Sequence, residues 1–514
     1  MTVPAVPDFV RRIDVRLFLP ALGCWVMLLS LRSASAATAA SVGVVGVFVA
    51  AGLILVRRRV GLVAAGAALA MAAGAGVMAV RAAARGSGPL AGLADRGVVA
   101  EMVVQLASDP LARSGFDVAT GRSYGYVFAT AQLVELDQGG RRWGMRQPVL
   151  LLARDKSWVG LLPSQRLRVA GRLTPPRRGD SVTAVVDVRG RPDIVGQPSP
   201  IQRAAGGLRA GLRAAAAPLP GDSSALLPGL VDGDTAALPE AVVADFRRTG
   251  LTHLVAVSGT NVAIVGAAVT GLARRTRAGP RATALLAALA VVGFVVLARP
   301  TGSVVRAAVM GLLGLAGIAT ARPRPALAGL CTAVLVLLLV EPALAAQPGF
   351  ALSVLATLGL LVLGPGWTRW LARWLPEPLA AAVAIPAAAQ VACAPVIALI
   401  GGGLSLAAIP ANLVAAPAVA PATIFGVCAA ALGPLLPFLA GLCAWGAAVP
   451  CLFLLGIAHL AARVPFASVP WPDGWQGAVL MVGVALVFAV FGKAAVRFSA
   501  THFRHVDRIG YRSQ

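Results

Sequence analysis

Two patterns of hydrophobic and polar positions divide the chain. Unbroken apolar runs fill its first part and its second half, and most are long enough for an α-helix to cross a bilayer. They cover Leu17–Leu31, Ala36–Val56 and Val60–Val80, then Leu251–Ala273, Ala282–Ala298, Val304–Ala321, Ala326–Val340, Phe350–Trp367, Leu379–Ile400, Leu404–Leu436, Leu439–Val464 and Gln476–Gly492. Between the two sets, apolar and polar residues alternate with period two in short runs parted by turn residues: Val98–Leu106, Tyr124–Leu136, Pro148–Ala153, Arg166–Leu173 and Ser181–Val188. Alternation of this kind marks half-buried strands, and five short strands suit a small barrel of the oligonucleotide-binding (OB) type. The expected fold is a polytopic α-helical membrane protein of about twelve transmembrane helices with an inserted extracytoplasmic all-β OB-like domain. Its divisions are N-terminal transmembrane helices in 1–85, the β domain in 86–200, an interfacial region in 201–250, a second transmembrane domain in 251–492 and a basic tail in 493–514.

Composition excludes a single soluble core: 58% of the 514 residues are hydrophobic and 13% charged, with mean hydropathy +0.80. The net charge of +24 is nearly all arginine, since Lys156 and Lys493 are the only lysines. In a membrane protein the placement of that charge sets orientation. Arg57-Arg58-Arg59, Arg274 to Arg281, Arg322 with Arg324, Arg369 with Arg373, and the tail's Arg497, Arg504 and Arg508 alternate with loops poor in basic residues, such as Glu341–Gly349. Both termini are therefore expected in the cytoplasm and the β domain outside. Arg11, Arg12 and Arg16 before the first run, with Ala34-Ser35-Ala36 after it, imitate a signal peptide; the run is read as an anchor helix. The six cysteines lie in apolar runs without CxxC or Cys/His spacing, so neither a zinc site nor a disulfide framework is expected, and no cofactor.

Polar residues inside the apolar runs are the candidates for function, because an unsatisfied polar group in a bilayer costs several kcal/mol, roughly. His253, Ser258, Thr260 and Asn261 interrupt one run. On a continuous helix His253 and Thr260 would share a side, with Gly259 letting a neighbour come close. Arg306 interrupts another run, either facing a wet path or snorkelling outward, and Gln390 and Asn412 interrupt later ones beside prolines. In the β domain, Tyr124, Tyr126, Trp143 and Trp158 stand among arginines and serve either to stack nucleic-acid bases or to fill the barrel. Ile201–Ala217 reads as a basic amphipathic helix with Arg203, Arg209 and Arg213 off its apolar stripe, suited to a membrane face or a DNA path. Asp232 and Asp234 follow as acids of an ion site or of a simple turn. Ser258 with His459 also permits an intramembrane serine protease, although Ala256 stands where a GxSG motif wants glycine. A small-molecule transporter is a further alternative.

The sequence resembles the ComEC competence proteins. Gly233-Asp234, Phe246, Gly250 and His253-Leu254-Val255-Ala256-Val257-Ser258-Gly259 are similar to the family's GD…F…G..HLLA.SG..H signature. Val305-Arg306-Ala307-Ala308-Val309-Met310, Pro348-Gly349-Phe350-Ala351-Leu352-Ser353 and Pro410-Ala411-Asn412-Leu413-Val414-Ala415-Ala416-Pro417 resemble its VRA..M, GFQLS and NL..P segments in the same order. Asn261 stands where members often carry a second histidine, and Ala351 where glutamine is usual. The resemblance implies a multi-pass protein of the bacterial inner membrane that admits single-stranded DNA in natural transformation. His253, Ser258, Thr260, Asn261, Arg306, Gln390 and Asn412 would line or gate the path, and the β domain with Arg203, Arg209 and Arg213 would capture the strand. Many members continue into a metallo-β-lactamase-like domain. The tail here contains no HxHxDH, so no nuclease activity is expected, and without a Walker A motif the motor, like the receptor and the nuclease, is expected to be a separate protein.

Overall fold

The structure, a computed structural model, describes residues 16–484 apart from 56–58, 87, 118–121, 178–179, 256, 321–325, 402 and 466. The expected basic tail and the end of the last run lie outside the described residues.

Alternation builds the β region as expected. Strand β1 (Val99–Leu106) turns Ala100, Met102, Val104 and Leu106 inward, and β5 (Arg166–Thr174) does the same with Leu167, Val169 and Leu173. Three further strands complete the wall: β3 (Arg122–Gln138), β4 (Arg141–Ala153) and β6 (Ala184–Val188). Pairing runs β1-β3-β4-β6-β5 and returns from β5 to β1, a closed ring in which β4 and β6 alone are parallel. Along β3, Val127, Ala129, Ala131 and Leu133 face the core. A register shift between Leu133 and Glu135 then reverses the phase, so that Leu136 joins them. Gly171 is required where β5 meets β6, because a Cβ there would lie 2.7 Å from the Asp187 carbonyl oxygen. Two strands that the sequence pattern missed, β2 (Leu111–Asp117) and β7 (Asp193–Gly196), pair at the margins with β3 and β5.

Among the described residues seven helices are long and apolar enough to cross a membrane, or eight if the bent pair Pro348–Val362 and Gly364–Leu371 is one span. Phe18–Ser30, Ala326–Val340 and Gly474–Val484 are shorter apolar helices. The run expected as one span over Leu251–Ala273 is interrupted: a single turn at Thr252–Val255 stops, and a new helix, Gly259–Arg275, starts after an extended Ser258 (φ −105°, ψ 162°).

The chain divides into two compact units. The first comprises Met1–Glu240, His253–Phe350 and Pro417–Leu455. Small residues let its first helices pack closely: a Cβ on Gly46 would lie 3.1 Å from the Ala72 Cβ. Trp25 donates its indole N–H to the Ala345 carbonyl and packs on Phe350, and Arg81 holds Glu341 at 2.7 Å. The second unit comprises Ala241–Thr252, Ala351–Ala416 and Gly456–Gln514. It contains the proline-bearing helix Glu377–Leu399 and a short strand pair, Leu404–Ser405 with Ser468–Val469.

Candidate functional site

In the first unit the helix break is enclosed by two sets of neighbours. Helix Ser223–Asp232 ends at Gly233, whose φ of 79° suits glycine. The extended segment runs against this end, since a Cβ on Gly229 would lie 3.4 Å from the Val255 carbonyl oxygen and one on Gly233 3.2 Å from Val257 Cγ2. Asn261, 2% exposed, donates to the Leu230 carbonyl at 2.6 Å and accepts from the Ser258 hydroxyl at 3.1 Å. The amide thus satisfies a carbonyl near the end of one helix and fixes the start of another.

On the other side lies helix Gly302–Ala319, which carries Arg306 in its second turn. A Cβ on Gly259 would meet Ala307 Cβ at 3.0 Å and Arg306 Nη2 at 3.1 Å, so the glycine admits the guanidinium beside the break. Arg306 is 5% exposed, which overturns the outward-snorkelling alternative, and its Nη1 lies 3.1 Å from Met310 Sδ. The shared helical side expected for His253 and Thr260 is likewise corrected. The break falls between them, at the extended Ser258, where Val257 lies against Gly233, and both residues are exposed.

Asp232 and Asp234 both face arginines. Asp232, 1% exposed, accepts the Asp234 amide N–H at 3.0 Å, and its Oδ2 lies 3.7 Å from Arg209 Nε. Burial, opposed by Arg209, raises its pKa to about 6. Asp234 holds Arg213 at 3.3 Å. Among the described residues no group of three or more His, Cys, Asp or Glu side chains could hold a metal ion. Arg209 was expected on a solvent-facing or DNA-facing side of its helix, Pro200–Ala216. It points inward instead, donating Nη1 to the carbonyls of Asp232 and Leu297. Arg203 and Arg213 are exposed.

Trp158, 1% exposed, lies in the barrel core, and Trp143 packs against that core opposite Leu136. An enclosed ring has no face for a base, so the capture role expected of Trp158 is withdrawn. Tyr126 and Phe128 alternate with the buried Val127 and Ala129, and stand half-exposed on the outer face. The Tyr124 side chain lies outside the described residues.

In the second unit Asn412 turns back on its own helix, donating to the Ala408 carbonyl at 2.7 Å, and Gln390 is half-exposed. His459 Nδ1 lies 2.6 Å from Asp245 Oδ2, an orienting partner that no spacing in the sequence revealed. Sequence reasoning also missed Asp109, which lies near Arg209, and Arg299, which bonds both Asp109 and Gln202; a charged residue between a span and Pro300 was the available signal for Arg299.

The helix end at Gly233-Asp234, the broken His253–Gly259 segment and the Arg306 helix therefore pack together, although they are far apart in sequence. A match to the Competence protein family covers residues 230–495, just over half the chain. The chain belongs to the ComEC competence protein family. It is 32% identical over 145 residues to "ComE operon protein 3" of Bacillus subtilis (strain 168), an alignment covering 28% of this chain and 19% of that protein. The chain thus matches about a fifth of the curated relative's length. No solved structure matches. The ComEC-family region begins at Leu230, the residue whose carbonyl Asn261 binds, and takes in the break and Arg306.

Proposed function

We propose that this chain is the inner-membrane channel for single-stranded DNA during natural transformation, a non-catalytic path served by a separate receptor, motor and nuclease. The observation that carries the reading is Arg306, buried in a membrane-length helix against a broken one. A guanidinium beside such a break presents charge and donors suited to a passing phosphate. Broken helices at membrane depth are tolerated where they are buried in protein or line a wet cavity. Family membership points the same way.

In this reading residues 86–200 lie outside and both termini inside. The three shorter apolar helices and Gly259–Arg275 add to the eight spans to complete twelve crossings. The ring order with its parallel β4–β6 pair supports an OB-type barrel. Tyr126 and Phe128 on its outer face, with the exposed Arg203 and Arg213, are the capture residues. The test is Arg306→Gln, expected to accumulate in the membrane yet lose DNA uptake, while Arg306→Lys keeps part of it because the charge survives without the planar fork. Normal uptake by Arg306→Gln, at normal accumulation, sinks the channel reading.

One observation favours a second reading. Asp245 Oδ2 lies 2.6 Å from His459 Nδ1, the kind of contact that orients the histidine of a hydrolase. In the first unit, however, the Ser258 hydroxyl donates its hydrogen bond to Asn261 Oδ1. Uptake that survives Ser258→Ala and His459→Ala removes the protease.

A further inference from the structure

Four segments of the first unit meet beside the barrel: the β1–β2 loop, helix Pro200–Ala216, the end of helix Ser223–Asp232 and the turn after helix Pro280–Ala298. Arg299 donates Nε to Asp109 Oδ2 at 2.7 Å and Nη2 to Oδ1 at 2.8 Å, the two-pronged grip that a guanidinium makes on a planar oxyanion. Arg209 Nη2 lies 4.0 Å from the same Oδ2. Two cations from different segments therefore converge on one carboxylate.

Both cations are held by groups other than Asp109. Arg299 also donates to Gln202 Oε1, and Arg209 to the carbonyls of Asp232 and Leu297. Each cation therefore has a partner besides the carboxylate between them. Asp109 itself sits on a loop, with its side chain 25% exposed. Arg299 adopts φ 67°, ψ 146°, a backbone conformation that costs a non-glycine residue about 1–3 kcal/mol. A strained residue presenting a fork to a loop-borne carboxylate is poorly explained as a simple strut.

We propose that Arg209 and Arg299 form a phosphodiester-binding fork that Asp109 keeps shut, and that a phosphodiester takes the fork by displacing the β1–β2 loop. A carboxylate and a phosphate present the same pair of oxygens to a guanidinium, so Asp109 is an internal competitor. Affinity is lowered by the fraction of molecules in which the competitor has left. The identification of the phosphodiester with the transported strand rests on the DNA-uptake reading; a lipid headgroup carries the same chemistry.

The experiment uses the full chain in dodecyl maltoside micelles, which carry no phosphodiester, titrated with a labelled single-stranded oligonucleotide and, separately, with glycerophosphoglycerol. Asp109→Asn is expected to bind the oligonucleotide about tenfold more tightly, and Asp109→Asn with Arg299→Gln to return to the wild-type value. Asp193→Asn, which makes the same charge change at an exposed position on β7, should alter affinity less than about twofold. A gain confined to glycerophosphoglycerol supports the fork and names the headgroup as its ligand. No gain with either probe, a gain that survives loss of Arg299, or an equal gain from Asp193→Asn overturns the proposal. Should Asp109→Asn fail to accumulate, hydrogen exchange on the wild-type chain decides. The Ala107 and Ser108 amides, both bonded to the Thr130 carbonyl, must lose protection when a probe binds, and unchanged protection with both probes overturns the fork. A fork that titrates as expected while Arg306→Gln cells take up DNA normally would leave the fork standing and the channel reading fallen.

Discussion

The barrel and the helices of the first unit treat buried polarity in opposite ways. The barrel core is hydrocarbon, with Leu133, Leu136, Leu151, Leu167, Leu173 and Trp158 among its fully enclosed side chains, and its buried polar residues Gln147, Gln165 and Thr183 are neutral. The helices bury Asp232 and Arg306. Burying a charge is far more costly than burying an amide, and a side chain kept in spite of that cost signals a task beyond packing. The barrel is thus filled with hydrocarbon, whereas the helical part encloses charged side chains.

The contrast predicts a different kind of damage in each region. The largest effect is expected from Trp158→Ala, which should cost about 3–5 kcal/mol by emptying a filled core. Tyr126→Ala, on the outer face, should barely move the melting temperature but weaken oligonucleotide binding by about 1–3 kcal/mol. Thermal melts and titrations on the same preparations test both, and equal destabilisation by the two would erase the distinction between core and face.

Next in size is the charge inside. The Asp232 pKa is raised from 3.8 to about 6, so its contribution to stability is fully present below the lower value and lost as pH rises through the upper one. The loss amounts to about 3 kcal/mol at roughly 1.4 kcal/mol per pKa unit. Asp232→Asn should flatten this part of the stability–pH curve, read as melting temperature between pH 4 and 7. A slope unchanged by the substitution would mean that Arg209 compensates the buried carboxylate fully.

Smaller again, Gly259→Val should cost about 1–3 kcal/mol and impair uptake, because its side chain needs the space that Ala307 and Arg306 occupy. Gly271→Val in the same helix, with no heavy atom within 4 Å of a Cβ, should be tolerated. Equal tolerance at the two positions would remove the close approach from the account. The smallest effect belongs to Ser258→Ala, which loses one hydrogen bond worth about 1 kcal/mol and is expected to retain uptake in a transformation assay.

Periodicity alone located β1, β3, β4, β5 and β6, because each turns alternate residues into one core and a period of two has no other stable use there. It missed β2 and β7 because marginal strands need not alternate: β2 reads Leu-Ala-Arg-Ser-Gly-Phe-Asp, and every residue of β7 is exposed or half-exposed. Apolar run length likewise announced a membrane protein, and the motifs around Gly233, His253 and Arg306 announced its family. The break before Gly259 was hidden, since Val-Ala-Val-Ser is apolar enough to continue a helix. Only the approach of Gly229 and Gly233 on one side and Arg306 on the other makes the extended path the one that fits. The fates of Arg203, Arg209 and Arg213 were hidden for the same reason. One amphipathic helix presents all three, and the partners at Asp232, Leu297 and Asp109 that draw Arg209 inward come from distant parts of the chain. Local pattern is set by the solvent each residue prefers, and the sequence carries it in full. The pairing of a buried charge is set by which segments tertiary packing brings within a few ångströms, and that only the folded chain decides.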